Sequence, residues 1–131
     1  MSPKSIPDDV RALVEGANVA HIATVLPDGA PHSVPVWVGI EGERLAILTS
    51  PGSRKARNLD RDPRVSLSVT DSSKPNLMAH VRGRVGERVD GERAWKIIDR
   101  MSQKYLGGPY PLREDRVVYL IEPEVAWAQA F

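Results

Sequence analysis

The segment NVAHIATVLPDGAPHSVPVWVGI spans residues 18–40. Two runs rich in β-branched residues flank Asp28-Gly29, a dipeptide typical of hairpin turns. The segment is therefore expected to fold as an antiparallel hairpin. Upstream, IPDDVRALVEG (6–16) opens on a proline with two acids and ends on glycine, the start and stop signals of a helix. Downstream, the link EGE (41–43) leads into RLAILTS (44–50), expected as a third strand antiparallel to the second.

Past that strand, Ser53 is placed to cap a short helix over residues 54–60, and Asp62-Pro63 ends it. RVSLSVTD (64–71) and MAHVRGRVGERVD (78–90) alternate apolar with polar residues, the pattern of half-buried strands. GERAWKIIDRMSQKYL (91–106) is expected as a helix with Ala94, Ile97, Ile98 and Met101 on one face. After the turn-rich GGPYPLRED, the run RVVYLIEPEVAWAQAF (116–131) supplies a last long strand broken near Pro123. Six mostly hairpin-connected strands with three helices predict a mainly β fold, an antiparallel sheet closed into a small barrel.

The 131 residues suit one domain, 1–131, with 41% hydrophobic residues to form its core. Eighteen basic side chains against 17 acidic ones leave a charge of +1. That balance argues against a nucleic-acid or membrane-surface partner, which calls for a basic excess. No cysteine is present, so disulfide and thiolate-metal scaffolds are excluded. No run approaches the roughly 18 apolar residues of a membrane span, and the N-terminus has no signal-peptide core. A soluble, cytoplasmic protein is expected. His21, His32 and His80 are scattered over different strands, so no metal site is expected. No hydrolase triad spacing occurs.

The short helix carries the one unusual charge pattern. Arg54, Lys55 and Arg57 stand in its first turn, where the helix dipole disfavours each cation by about 0.3–1 kcal/mol. A phosphate held there by backbone N–H groups and charge-assisted bonds would explain them. Alternatively, they fan into water and pair with Asp60 and Asp62. Five cations between Arg54 and Arg64 outnumber those two acids.

The block LTSPGSRKARNLDRDPRVSLSV (48–69), following HSVPVWV, resembles the pyridoxamine-phosphate-oxidase-like flavin-binding superfamily. More narrowly, it resembles the branch that binds the deazaflavin coenzyme F420. The likeness extends over ATVLPDGAPHSVPVWV, a GRV strand, the WKIIDRMSQKY helix and a closing VVYLI strand. KxRNLxxDPRVSL is its most specific part. The resemblance implies a six-stranded antiparallel split β-barrel of the FMN-binding kind, forming homodimers with cofactor sites at the interface.

It also implies roles for residues. Lys55, with Arg54, matches the phosphate-binding basic positions, and Asn58 matches the Asn of the motif, where it caps or braces the loop. Thr49 and Ser50 run past the coenzyme's phosphate and ribityl chain. Pro35, Val36 and Trp37 match the strand that lines the ring. Since no acid–base motif stands out, the implied activity leaves the chemistry to the cofactor. The protein is expected to be an F420H2-dependent oxidoreductase that transfers a hydride between a deazaflavin and a small unsaturated or conjugated organic substrate. Two alternatives share the phosphate grip: an FMN-dependent oxidase or reductase of the pyridoxamine-phosphate-oxidase type, and a noncatalytic coenzyme-binding protein.

Overall fold

The computed structural model describes residues 5–131. Helix α1 spans Asp8–Glu15, with Asp8 and Asp9 in its first turn, where the dipole favours them. It buries Val10, Leu13 and Val14. Strands β1 (Ala20–Val25) and β2 (Pro31–Val36) form the expected hairpin, turning through Gly29 at φ 89°.

The expectation of one strand through residue 40 is corrected. The run breaks after Val36, and Gly39–Glu41 forms a separate strand, β3. Strand β4 (Arg44–Thr49) pairs with β3 across Gly42, at φ 67°, and not with β2. Seven strands thus stand where six were expected, because the second is split.

Helix α2 spans Arg54–Arg61, and the Ser53 hydroxyl accepts the Ala56 N–H at 3.1 Å, as a capping residue should. Strands β5 (Arg64–Thr70) and β6 (Leu77–Val89), helix α3 (Gly91–Leu106) and strand β7 (Val117–Ala130) complete the chain. The strands form one antiparallel sheet in the order β2-β1-β5-β6-β7-β4-β3.

That order places β2 and β3 at opposite edges, yet only Trp37 and Val38 separate them. A chain covers at most about 11 Å over those three steps. The sheet must therefore curl until its two edges nearly meet, which makes it a barrel. The long β6–β7 ladder bends to allow this, with register shifts between Arg82 and Gly83 and between Val85 and Glu87. Gly83 sits opposite Pro123, where an added Cβ would overlap the Glu122 carbonyl and lie 3.1 Å from Pro123 Cα.

The first part of β7, Val117 to Ile121, is buried on both faces. Val117, Tyr119 and Ile121 point into the barrel with Ile22, Leu45, Ile47 and Leu67. Val118 and Leu120 point outward, where Ala94, Ile97, Ile98 and Met101 of α3 cover them together with Ala46. The face of α3 expected from its spacing is the buried one. Double burial explains why VVYLI is continuously apolar and does not alternate.

Candidate functional site

Between α2, the β2 end and the loop after α3 lies a cleft of about 360 Å³. It is lined by Val19, Pro35, Val36, Trp37, Leu48, Lys55 and Tyr110. Four residues singled out from the sequence thus share one cavity: Pro35, Val36 and Trp37 from the β2 edge, and Lys55 from α2. Its walls are mostly apolar, and its charged element is the Lys55 ammonium.

Trp37 leaves the sheet on the α3 side. Its ring stacks on Tyr105, with centroids 4.7 Å apart and planes 5° apart, and meets the Tyr110 ring edge-on at 5.7 Å. Such pairs add about 0.5–1.5 kcal/mol beyond area burial. Tyr110 is held in turn, its backbone N–H donating to Asp99 Oδ1 at 3.1 Å, while Arg113 donates to the same carboxylate at 2.6 Å. The Arg113 guanidinium also lies over the Trp95 ring, 4.1 Å from its centroid.

Asp60 and Asp62 were the acids offered as partners for the cation cluster, and both are engaged elsewhere. Asp62 accepts from Arg64 Nη2 at 2.7 Å and Nε at 3.0 Å, and these bonds bring its carboxyl down to about 2. Asp60 accepts from Arg88 at 2.6 Å and from the Tyr119 hydroxyl at 2.8 Å. Burial and that carboxylate raise the Tyr119 phenol far above its usual value. Among the described residues, Arg54, Lys55 and Arg57 form no ion pair. Neither acid therefore pairs with them; Arg57 is exposed and fans into water, as the alternative to an anion site has it, while Arg54 and Lys55 are half-buried.

The neighbourhood is shaped for something negative. Burial lowers the Lys55 pKa, as expected for an ammonium with no counter-charge. Arg54 Nε is buried without a protein partner. Both stand at an α2 N-terminus that carries no acid in its first turn. A phosphoryl group fits this donor set, and an apolar cleft of this size beside it suits a planar ring.

The other residues marked in the sequence take supporting places. The Thr49 hydroxyl lies 2.8 Å from Ser53 Oγ, and the Ser50 carbonyl accepts the Ser53 N–H at 3.1 Å, so together they shape the turn before α2. Asn58 is fully buried, and its Nδ2 donates to Thr24 Oγ1 at 3.0 Å. It braces α2 onto β1 and presents nothing to the cleft. Val19 and Leu48 are not among the site residues expected from the sequence, and Tyr110 is legible there only as a border of a loop able to close over substrate. Tyr110 had a signal, since it follows a Gly-Gly-Pro turn. Val19 and Leu48 had none, because an aliphatic beside a strand resembles any core residue.

Among the described residues, no group of three or more His, Cys, Asp or Glu is arranged to hold a metal. None of their helices is long and apolar enough to cross a membrane.

An antiparallel sheet curled until its edges nearly meet, with a helix packed outside it, is a split β-barrel. This chain belongs to the pyridoxamine 5'-phosphate oxidase family, whose model matches residues 6–130. Among solved structures, one described as an F420 reductase is 29% identical, with a TM-score of 0.80 over 93% of this chain and 98% of its own. The conserved hypothetical protein Rv2991 of Mycobacterium tuberculosis is 23% identical, with a TM-score of 0.77 over 97% of this chain and 90% of its own. General Stress Protein 26 of Bacillus anthracis is 17% identical, with a TM-score of 0.72 over 92% and 91%. The last two likenesses speak to the fold alone. No curated protein matches the chain.

Proposed function

We propose that this protein is an F420H2-dependent oxidoreductase that transfers a hydride between the deazaflavin and a small unsaturated or conjugated organic substrate. The observation that carries the reading is the pair of unpaired cations, Arg54 and Lys55, at a helix N-terminus bordering an aromatic-walled cleft. The likeness to a structure described as an F420 reductase over nearly the full length of both chains supports the choice of coenzyme.

In this reading Lys55 and Arg54 hold the coenzyme's phosphate, aided by free N–H groups at the start of α2. The Thr49–Ser53 contact keeps that turn in shape. Pro35, Val36 and Trp37 form one wall for the ring, and Leu48, Val19 and Tyr110 complete an apolar surround that excludes water. When bound, the reduced coenzyme supplies two electrons as a hydride. The protein's part is to orient the ring and to keep an apolar acceptor against it.

A homodimer with shared sites belongs to the same proposal. Pro35, at the cleft, is in lateral register with His21, Ser68, His80 and Trp127 across five strands. Trp127 is 41% exposed at the far end of that row, a large apolar side chain that a second copy seated there would cover.

Side-by-side titration of the purified protein with F420 and FMN tests the coenzyme, with sedimentation reporting the assembly. Tight F420 binding, followed by oxidation of F420H2 with a conjugated acceptor, is the expected result. A yellow protein retaining flavin would move the assignment to an FMN-dependent oxidase or reductase. Binding without turnover on a broad acceptor panel would make it a coenzyme carrier.

A further inference from the structure

The crossing from β2 to β3 creates a backbone problem. Trp37 and Val38 lie between the two edges of the sheet and pair with neither ladder. Val38 is nevertheless fully buried, so its N–H and C=O both need partners. Two consecutive side chains on the last turn of α3 supply them. The Val38 N–H donates to the Tyr105 hydroxyl at 3.2 Å, and the Lys104 ammonium donates to the Val38 carbonyl at 2.6 Å.

The same two side chains reach further. Lys104 also donates to the Val14 carbonyl at the end of α1, at 2.7 Å. The Tyr105 hydroxyl donates to the Asn18 carbonyl at 2.6 Å. Asn18 precedes Val19, and Val38 follows Trp37. Both segments bridged by this one hydroxyl therefore carry a residue of the cleft. The Tyr105 ring, meanwhile, is the surface on which Trp37 stacks.

We propose that Tyr105 is the positioning residue for the ring-binding wall: it sets the plane of Trp37 and the separation of Trp37 from Val19 without itself lining the cleft. The inference rests on the reading of that cleft as a coenzyme ring site. Burial raises the Tyr105 phenol above its usual value, which favours the protonated hydroxyl that donates to Asn18. The geometry separates two effects. Tyr105→Phe keeps the stack and removes the bridge, whereas Tyr105→Leu removes both.

Two measurements on the full chain test this. Amide hydrogen exchange on the free protein reads the bridge: in Tyr105→Phe the Val38 amide should exchange at least about tenfold faster, having lost its acceptor. Titration with F420 and, separately, with inorganic phosphate reads the wall. Tyr105→Phe should weaken F420 binding about 3–10-fold, the scale of one hydrogen bond, and Tyr105→Leu should weaken it further. Inorganic phosphate, held by Lys55 and Arg54, should bind both variants as it binds the wild type. A purely structural role would weaken both ligands together and overturn the proposal, as would unchanged Val38 exchange in Tyr105→Phe. If wild-type protein binds F420 and Tyr105→Phe binds it equally well, the positioning role alone is wrong. If wild-type protein binds neither F420 nor FMN, the coenzyme reading of the cleft is wrong, and the positioning role falls with it.

Discussion

Lys55→Ala is the substitution with the most distinctive expected signature. Lys55 reaches into the cleft, has no carboxylate partner among the described residues, and has its pKa lowered by burial. Its folded pKa below the unfolded value means that the folded state disfavours the charge, so the residue works against folding near neutral pH. Removing the ammonium should leave stability unchanged or slightly raised. Coenzyme binding should move the other way. A charged hydrogen bond to phosphate is worth about 1.5–3 kcal/mol, which converts to a loss of roughly 10–150-fold in affinity. Lys55→Met serves as a control that retains most of the aliphatic stem against Val19 and Leu48. The assay is a fluorescence titration of coenzyme paired with urea unfolding of the free protein. Opposite movement of affinity and stability is the mark of a residue kept for a ligand. Affinity within twofold of wild type would refute the reasoning and return Lys55 to the solvated surface.

Other expectations concern the frame around the cleft. Asn58→Ala should destabilise the protein by about 1–3 kcal/mol, because it leaves the Thr24 hydroxyl buried without its partner; urea unfolding checks this. Gly83→Ala should cost about 1–3 kcal/mol or more, since the new methyl meets the β7 backbone rather than a movable side chain; thermal unfolding reads it. Burial brings Lys104 down to about 8 from 10.5, so above that pH the unfolded chain holds a proton the folded one has shed. This group's contribution to stability should therefore rise from pH 8 toward 10, where tyrosine ionisation in the unfolded chain begins to oppose it. Lys104→Met should flatten that rise, measured as the urea midpoint against pH.

Much of the local structure was legible in the sequence because its causes are local. Ser53 caps α2 and Asp62-Pro63 ends it because a hydroxyl three residues before an N–H, and a ring that clashes with helical backbone, act on near neighbours. The spacing of Ala94, Ile97, Ile98 and Met101 likewise reports one helix face wherever that helix docks. The split between β2 and β3 was not legible. VPVWVGI carries no turn signal between Val36 and Gly39, and what ends β2 is the crossing to the far edge of the sheet, where β3 pairs with β4 beside β7.

The meaning of the cation cluster was also a tertiary matter. The sequence supplies Arg54, Lys55 and Arg57 together with two nearby acids, and proximity along the chain suggests pairing. Folding brings Arg88 and Tyr119 to Asp60 from 28 and 59 residues away and turns Asp62 onto Arg64, leaving the three cations without carboxylates. Local order along a chain is decided by torsions, caps and side-chain period, which neighbouring residues impose on one another. Which charges stay unpaired, and which aliphatics line a cleft, depends on contacts that exist only after distant strands have met.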